Sequence, residues 1–479
     1  MVKTEMKGLE PEVTSDNALL ASLGYKQELK RAFTPIELFG FGFSVSAIAP
    51  SVASVLVYSL PNGGSSAMIW GWAVSTVFLM FIAMAMAELG SSAPTSGGLY
   101  YWTYKFASPR FRNVLCWMVG YTNTISYITG VAGVDWSCAT LIMAGVTIGS
   151  DGRFIPTVHQ TFGVYCAVLA SHGLVASCAT KVIARLQYLF ITINIALILV
   201  LRTSKNDAKY TFGNFTNLTP WPNGYAFILS FLAPLWTVGG FDVGVHISEE
   251  ALNANVAVCR SRVAFCMGPD TVSILSSPIQ QPFATILLNS VGKHGMLAIW
   301  SFIFIALYMA GVSLLTSSSR PDIRVFTRRC FAVFQIPLQN QLVYGYPRFD
   351  AFGFRHLCGT LGAYHFRGPA AAGALFTLGV IGQYVANSIP ITTRWLGGQP
   401  FKKGPFSLGA FSLPVAIVAV LWMWFMTIVL LFPSFPDPNA ETMNYSVVVL
   451  FGVLFLALAY YYLPYYGGRH WFKGPVSNH

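Results

Sequence analysis

This sequence predicts an all-α protein threaded repeatedly through a bilayer, and three observations carry that reading. Hydrophobic residues make up 54% of the 479 positions and charged residues only 10%, and the mean hydropathy of +0.57 lies outside the range of a soluble chain this long. The apolar residues are gathered into runs close to the 20 or so that cross a hydrocarbon core. Finally, the basic residues behind the net charge of +11 lie mostly between those runs. In a soluble chain such charge suggests nucleic acid; here it marks loops held on the cytoplasmic side, with lipid and not nucleic acid as the partner. Aromatics at 15% fit interfacial anchors.

Ten spans are expected: Phe39–Leu60, Met68–Glu88, Val114–Met143, Phe162–Cys178, Val182–Leu201, Ala226–Ile247, Met296–Thr316, Ala371–Ile391, Leu413–Phe432 and Tyr445–Leu463. The first 35 residues are polar and mixed in charge, with no apolar core of a cleavable signal. Lys105, Arg110 and Arg112 follow the second span, Lys181 and Arg185 the fourth, and Arg394, Lys402 and Lys403 precede the last two. The first hairpin tip, 61–66, carries no charge, so the N-terminus is expected in the cytoplasm. Two glycosylation-type triplets, at Asn214 and Asn217, then fall on the outer side. The eight cysteines show no metal-type spacing and mostly lie in apolar runs, as small core residues do.

Two spans are interrupted. The first contains Ser46, Ala47, Ile48, Ala49, Pro50, Ser51 and Val52, small residues with a proline at mid-membrane; the sixth contains Thr237, Gly239, Gly240, Phe241 and Asp242 after Pro234. Freed backbone cannot face lipid, so it lines a cavity or is buried in protein. Each break alone reads equally as a proline kink with a small-residue helix contact. Two breaks at matching places in successive five-span units instead suggest half-helix ends that hold a substrate carboxylate by their dipoles.

The stretch from Ala87 to Tyr101 (Ala-Glu-Leu-Gly-Ser-Ser-Ala-Pro-Thr-Ser-Gly-Gly-Leu-Tyr-Tyr) sits where the second span runs out. It resembles the hallmark of fungal amino-acid permeases in the amino acid–polyamine–organocation superfamily. Leu23-Gly24-Tyr25-Lys26-Gln27-Glu28 is similar to the N-terminal signature of the GABA and choline permease group. Gly240-Phe241-Asp242 with His246 to Glu250, Gly382-Gln383-Tyr384-Val385-Ala386 with Ser388-Ile389-Pro390, and Tyr466-Gly467-Gly468 with Trp471-Phe472 match as well. The likeness covers 16–255, 263–319 and 368–476.

The resemblance implies a twelve-helix protein with a five-plus-five inverted repeat, ten helices being recognisable. It implies secondary, alternating-access transport of amino acids or related amines such as GABA or choline, with protons as coupling ion, in the plasma or an internal membrane. On that reading 46–52 and 237–241 present amides and carbonyls to the substrate, Phe241 closes over it, and Asp242 meets its amine or else caps a helix. Glu88 is a gate or coupling residue, or a snorkelling acid at a helix end. Glu249 and Glu250 form a cytoplasmic gate or a solvated helix end. His172 and His246 relay protons or are hydrogen-bonded packing. Tyr121, Asn123 and Asn387 are polar enough to line a path.

Two places depart from the family pattern. After Glu250 the family passes through a short turn into a full seventh span, whereas here residues 251–258 run directly into Cys259-Arg-Ser-Arg262 and family-like sequence resumes at Val263. After Arg320 the family reads on with a string like Gln-Thr-Phe-Ala-Phe-Ser-Arg-Asp-Gly-Ala; this chain has Pro321-Asp-Ile-Arg-Val-Phe-Thr-Arg-Arg-Cys330. The string CCAGACATTCGCGTTTTCACGAGACGGTGC encodes the second in its first frame and the first when read one base later. Seven arginines and two aspartates between Arg320 and Arg367 suit an out-of-frame segment better than an apolar ninth span.

The expected organisation is therefore an N-terminal tail (1–35), six spans (36–250), a truncated seventh-span region and loop (251–294), an eighth span (295–319), an out-of-frame replacement of the ninth (320–368), three last spans (369–465) and a cytoplasmic C-terminal tail (466–479). A chain so altered is expected to fold poorly or not to transport. Two further readings stay open: a sensor of the same fold that binds without transporting, which short tails disfavour, and an inactive splice or gene-model product. The sequence holds no nucleophile–base set, metal cluster or phosphate loop, so neither an enzyme nor a cofactor is expected.

Overall fold

A computed structural model describes residues 42, 45–95, 97–178, 186, 189–197, 212–239, 275, 277–326, 342–343, 346–347, 369–433, 436, 438–439 and 443–474. The helices are α1 (Ile48–Ser59), α2 (Gly64–Ser92), α3 (Gly98–Phe106), α4 (Arg112–Gly149), α5 (Val158–Cys178), α6 (Asn223–Leu229), α7 (Leu232–Thr237), α8 (Pro282–Phe326), α9 (Pro369–Leu396), α10 (Ser412–Leu431), α11 (Ser446–Tyr462) and α12 (Gly468–Trp471). Four two-residue strands complete the set: β1 (Asn62–Gly63), β2 (Thr216–Asn217), β3 (Leu342–Val343) and β4 (Tyr346–Pro347), paired antiparallel as β1–β2 and β3–β4. Among the described residues five helices are long and apolar enough to cross a membrane: α2, α4, the 282–317 part of α8, α9 and α10.

Helix α4 is the hub, packed chiefly on α9 and α8, with α3, α5 and α11 around it; α1 packs on α7, and α2 on α10. Glycine lets α4 and α9 approach closely, as small residues do in membrane bundles. A Cβ at Gly382 would sit 3.0 Å from Ser126 Cβ, and one at Gly379 3.7 Å from the Gly130 backbone. Ser126 Oγ donates to Gly379 O across the same seam at 2.6 Å. The outer faces carry the opposite signature. Leu413, Ile417, Leu421, Trp424 and Ile428 of α10, with Val448, Phe451 and Phe455 of α11, are all exposed; large apolar stripes at helical spacing suit lipid rather than water. The chain is an integral, multi-pass helical membrane protein.

Three boundaries differ from those expected. The first helix proper starts only at Ile48, because Ala47 takes a left-handed conformation (φ 31°, ψ 64°). The third span extends to 112–149, since residues 144–149 remain apolar. Residues 282–291, expected in a loop, form the first part of α8; the helix breaks at Gly292 (φ 71°) before continuing. Proline at the first helical position suits that start, and Phe283, Ala284 and Leu287 are buried in the core. Within 320–368 the described parts are the end of α8 and the β3–β4 ladder.

Candidate functional site

The break expected in the first span and the described part of the second, which ends at Gly239, come together. Val45 and Ser46 are helical, Ala47 turns left-handed, and α1 begins at Ile48. The break is held from within: Ser46 Oγ donates to Gly42 O (3.2 Å), Ser51 Oγ to Ser46 O (2.8 Å) and Ser51 N to Ala47 O (2.8 Å). The amides of Ile48 and Ala49 have no intrahelical acceptor at that start, and Pro50 brings no amide at all. On the other side α7 ends at Thr237, and the chain tightens so that Gly239 N donates to Trp236 O at 3.2 Å.

Between the breaks lies a small cavity with an open mouth, its interior about 60 Å³. Val45 and Ser51 flank the first break and Trp236 and Gly239 the second; Ser126, Tyr127, Gly130 and Val134 come from α4, Leu314 from α8, and Gly379, Val380 and Gln383 from α9. Ser126, Gly130 and Val134 recur at intervals of four on one helical face, with Tyr127 beside them. Trp236 forms a firm wall, meeting Phe376 edge-on with centroids 4.8 Å apart and leaving no room for a Cβ at Gly133 or Gly379 without movement. Among the described lining residues none carries a charge, so a zwitterion there would be held by backbone dipoles, hydroxyls and one amide.

Of the residues expected to bind, Ser51 and Gly239 line this cavity. Ala47 makes the break itself, and Ile48, Ala49, Pro50 and Val52 are buried in the first turns of α1. Thr237 is buried with Oγ1 unpartnered. Gly240, Phe241, Asp242, His246, Glu249 and Glu250 lie outside the described residues. Asn123 and Asn387 are buried, and both atoms of the Asn387 amide lack a partner.

A model of amino acid permeases matches residues 33–454. The chain belongs to the amino acid permease family. It is similar to an uncharacterised amino-acid permease of Schizosaccharomyces pombe, 34% identical over 98% of this chain and 90% of that protein. A GABA-specific permease of Saccharomyces cerevisiae is likewise 34% identical, over 97% of this chain and 86% of its own length. Amino-acid permease 2 of Neurospora crassa is 28% identical over 97% and 90%.

The string after the second span forms a second buried polar centre of this permease. Glu88, 1% exposed, accepts from Arg394 Nη1 at 2.7 Å, from Ser412 Oγ and, at 3.1 Å, from Ser407 Oγ. Arg394 also donates to Ser412 Oγ (3.0 Å) and lies 3.8 Å over the Phe401 ring. Ser91 Oγ accepts from Phe406 N, and Trp102 Nε1 donates to Ala93 O, both at 2.8 Å. The loop after α9 is thus clamped onto the ends of α2 and α3. In the sequence Arg394 registers only as a basic loop residue, because its partner lies 306 positions away.

At the other end of α2, Asn62 and Gly63 pair with Asn217 and Thr216. The Asn217 amide donates to Trp221 O (2.7 Å) and Asn223 Oδ1 (3.1 Å), and its Oδ1 accepts from Thr219. Asn214 lies on the same segment, partly exposed. The closing Gly467-Gly468 and Trp471-Phe472 of the permease pack against α4: Trp117 meets Phe472 and Trp471 edge-on, with ring centroids 5.0 and 5.6 Å apart, and donates to Ala457 O at 2.9 Å.

Proposed function

We propose that this permease is a secondary carrier of an amino acid or related amine, GABA and choline included, working by alternating access with protons as coupling ion. The observation that carries the reading is the cavity between the break at Ala47 and the end of α7 at Thr237, lined by Ser51 and Gly239. Freed backbone groups facing a protein cavity at mid-membrane are the means by which broken-helix transporters hold a charged small molecule. The similarity to a GABA-specific permease supports an amine or amino-acid cargo. The basic Lys105, Arg110, Lys402 and Lys403 lie at the Glu88 end of α2, opposite Asn214 and Asn217, which supports a cytoplasmic N-terminus in the plasma or an internal membrane. Asp242 to the amine, Phe241 as lid, and Glu88, His246, Glu249 and Glu250 in gating belong to the same proposal. The test is saturable uptake of labelled GABA, choline and amino acids in permease-deficient yeast. Uptake abolished by an uncoupler is expected; purified protein that binds none of them overturns the reading.

One observation favours a second reading, in which the chain as written is an altered, inactive product. Its alignment with the Schizosaccharomyces pombe relative runs over 506 positions against 479 residues, so at least 27 positions of the relative face gaps here. That deficit is enough for one span, in keeping with a lost seventh helix and an out-of-frame segment at 320–368. Sequencing the transcript across the codons for 251–265 and 320–368 decides it.

A further inference from the structure

Behind the cavity lies an ionisable pair that neither the substrate site nor the Glu88 centre uses. Asp135 of α4 and His172 of α5 are both 0% exposed, and His172 Nδ1 lies 2.6 Å from Asp135 Oδ1. They sit in the apolar core, among Val131, Val134 and Cys138 on α4 and Leu169 on α5. Ionisable side chains at such depth in a membrane bundle are costly and mark function more often than packing.

Two features separate this pair from a purely structural contact. Asp135 Oδ2 and His172 Nε2 have no hydrogen-bond partner. A pair built for stability would satisfy both, since each buried unpaired polar atom costs about 1–3 kcal/mol. The third helix also leaves room for the ring: a Cβ at Gly311 of α8 would lie 2.5 Å from His172 Cε1, and the Tyr308 ring is centred 4.2 Å away. Among the described residues, the other titratable groups facing the pair are Tyr308 of α8, whose hydroxyl donates to Ser171 Oγ at 2.9 Å, and Cys138 of α4. Among the described residues the salt-bridge partner of Asp135 is His172 alone.

The pair and the cavity share their walls. Val134 lines the cavity beside Asp135 in the chain and also meets the Gly311 position, its Cγ1 3.2 Å from the Cβ built there. Leu314, one turn from Gly311 on α8, lines the cavity too. A shift of α8 against α4 therefore acts on both at once.

We propose that Asp135 and His172 form the proton-binding site of this permease. The site takes up one proton at His172 Nε2, converting a carboxylate beside a neutral imidazole, net charge −1, into a carboxylate–imidazolium pair of net charge zero. No bond to the cargo forms or breaks. The neutral pair tolerates the closed apolar core, and the charged one favours a state in which α8 has moved and water reaches Nε2. Proton coupling to transport rests on the proposed carrier function; proton binding at the pair does not.

The test uses the full chain in nanodiscs with ¹⁵N-labelled histidine, the His172 signal being assigned with His172→Gln. Over the range from about pH 5 to about pH 8 the His172 imidazole is expected to titrate. In Asp135→Asn the pH response of that signal is expected to differ from the parent's, because the carboxylate beside the ring is gone. Gly311→Ala, which fills the space of the ring, is expected to abolish that titration. A His172 that stays in one protonation state throughout, or titrates identically in Asp135→Asn, overturns the proposal. In vesicles, His172→Gln is expected to keep cargo exchange at equal pH while gradient-driven accumulation falls about tenfold or more. Accumulation retained in His172→Gln ends the coupling role and leaves the carrier reading standing. Absence of exchange in the unaltered chain sinks the carrier reading instead, and the titration then decides the proton site by itself.

Discussion

Glu88 and Arg394, 306 positions apart in the chain, meet at 2.7 Å in a buried ion pair that ties the end of α2 to the end of α9. Ser412 bonds both partners and Phe401 covers the guanidinium. A charge left in that place without its partner is far worse than no charge at all. Arg394→Ala is expected to destabilise by about 3–5 kcal/mol, whereas the double change Glu88→Leu with Arg394→Leu costs less. Heating in detergent followed by size-exclusion chromatography measures both; equal loss in the single and double variants would falsify the pairing argument.

The seam between α4 and α9 is expected to reject bulk. Gly382→Val places branched atoms against Ser126 Cβ, 3.0 Å from the position of the first added carbon, and overpacking of this kind costs about 1–3 kcal/mol. The lowered midpoint is read in the same heating assay. A midpoint unchanged from the parent means that the helices separate there at no cost.

Thr237 carries a buried hydroxyl with no partner. Thr237→Val keeps the shape and removes that hydroxyl, so stability is expected to hold or rise. If cargo supplies the missing partner, affinity falls by about 0.5–1.5 kcal/mol, or roughly two- to tenfold. Cargo binding to purified protein checks this, and unchanged affinity removes Thr237 from the site.

Ala47 breaks the first span with φ 31°. Glycine adopts that conformation without strain, and a β-branched residue does so only with difficulty. Ala47→Gly should therefore bind cargo much as the parent does, while Ala47→Val loses binding or folded yield. Equal behaviour of the two variants argues that the break has no part in the site.

On the second reading, that of an altered product, the 479-residue chain accumulates no cargo and a form with complete seventh and ninth spans does. Side-by-side uptake by the two forms measures the difference; accumulation by the shorter one shows those spans to be dispensable.

Most of the membrane fold is legible in the residues, because an apolar run of span length has few alternatives in lipid. The break in the first span could be placed at Ser46 to Val52 for the same reason: small residues and Pro50 interrupt an otherwise continuous helix. Asp135 is an acid within an apolar run, and span length alone draws no attention to it. Its pairing with His172 was not legible, nor was that of Glu88 with Arg394, because contacts across 37 and 306 positions leave no local periodicity. Gly292 hid a helix start in the same way, the apolar stretch at 282–288 being too short to read as a span.

What the sequence determined by itself was the solvent, the helical membrane class, the break in the first span and the family, since each depends on local composition and on motifs of a few residues. Only the tertiary structure decided which groups face one another: Ser51 with Gly239 across a cavity, Arg394 against Glu88, His172 against Asp135 with Gly311 making room. Those choices are made by helix packing, which brings distant turns within hydrogen-bonding reach, and a helix face carries no record of the neighbour that will cover it.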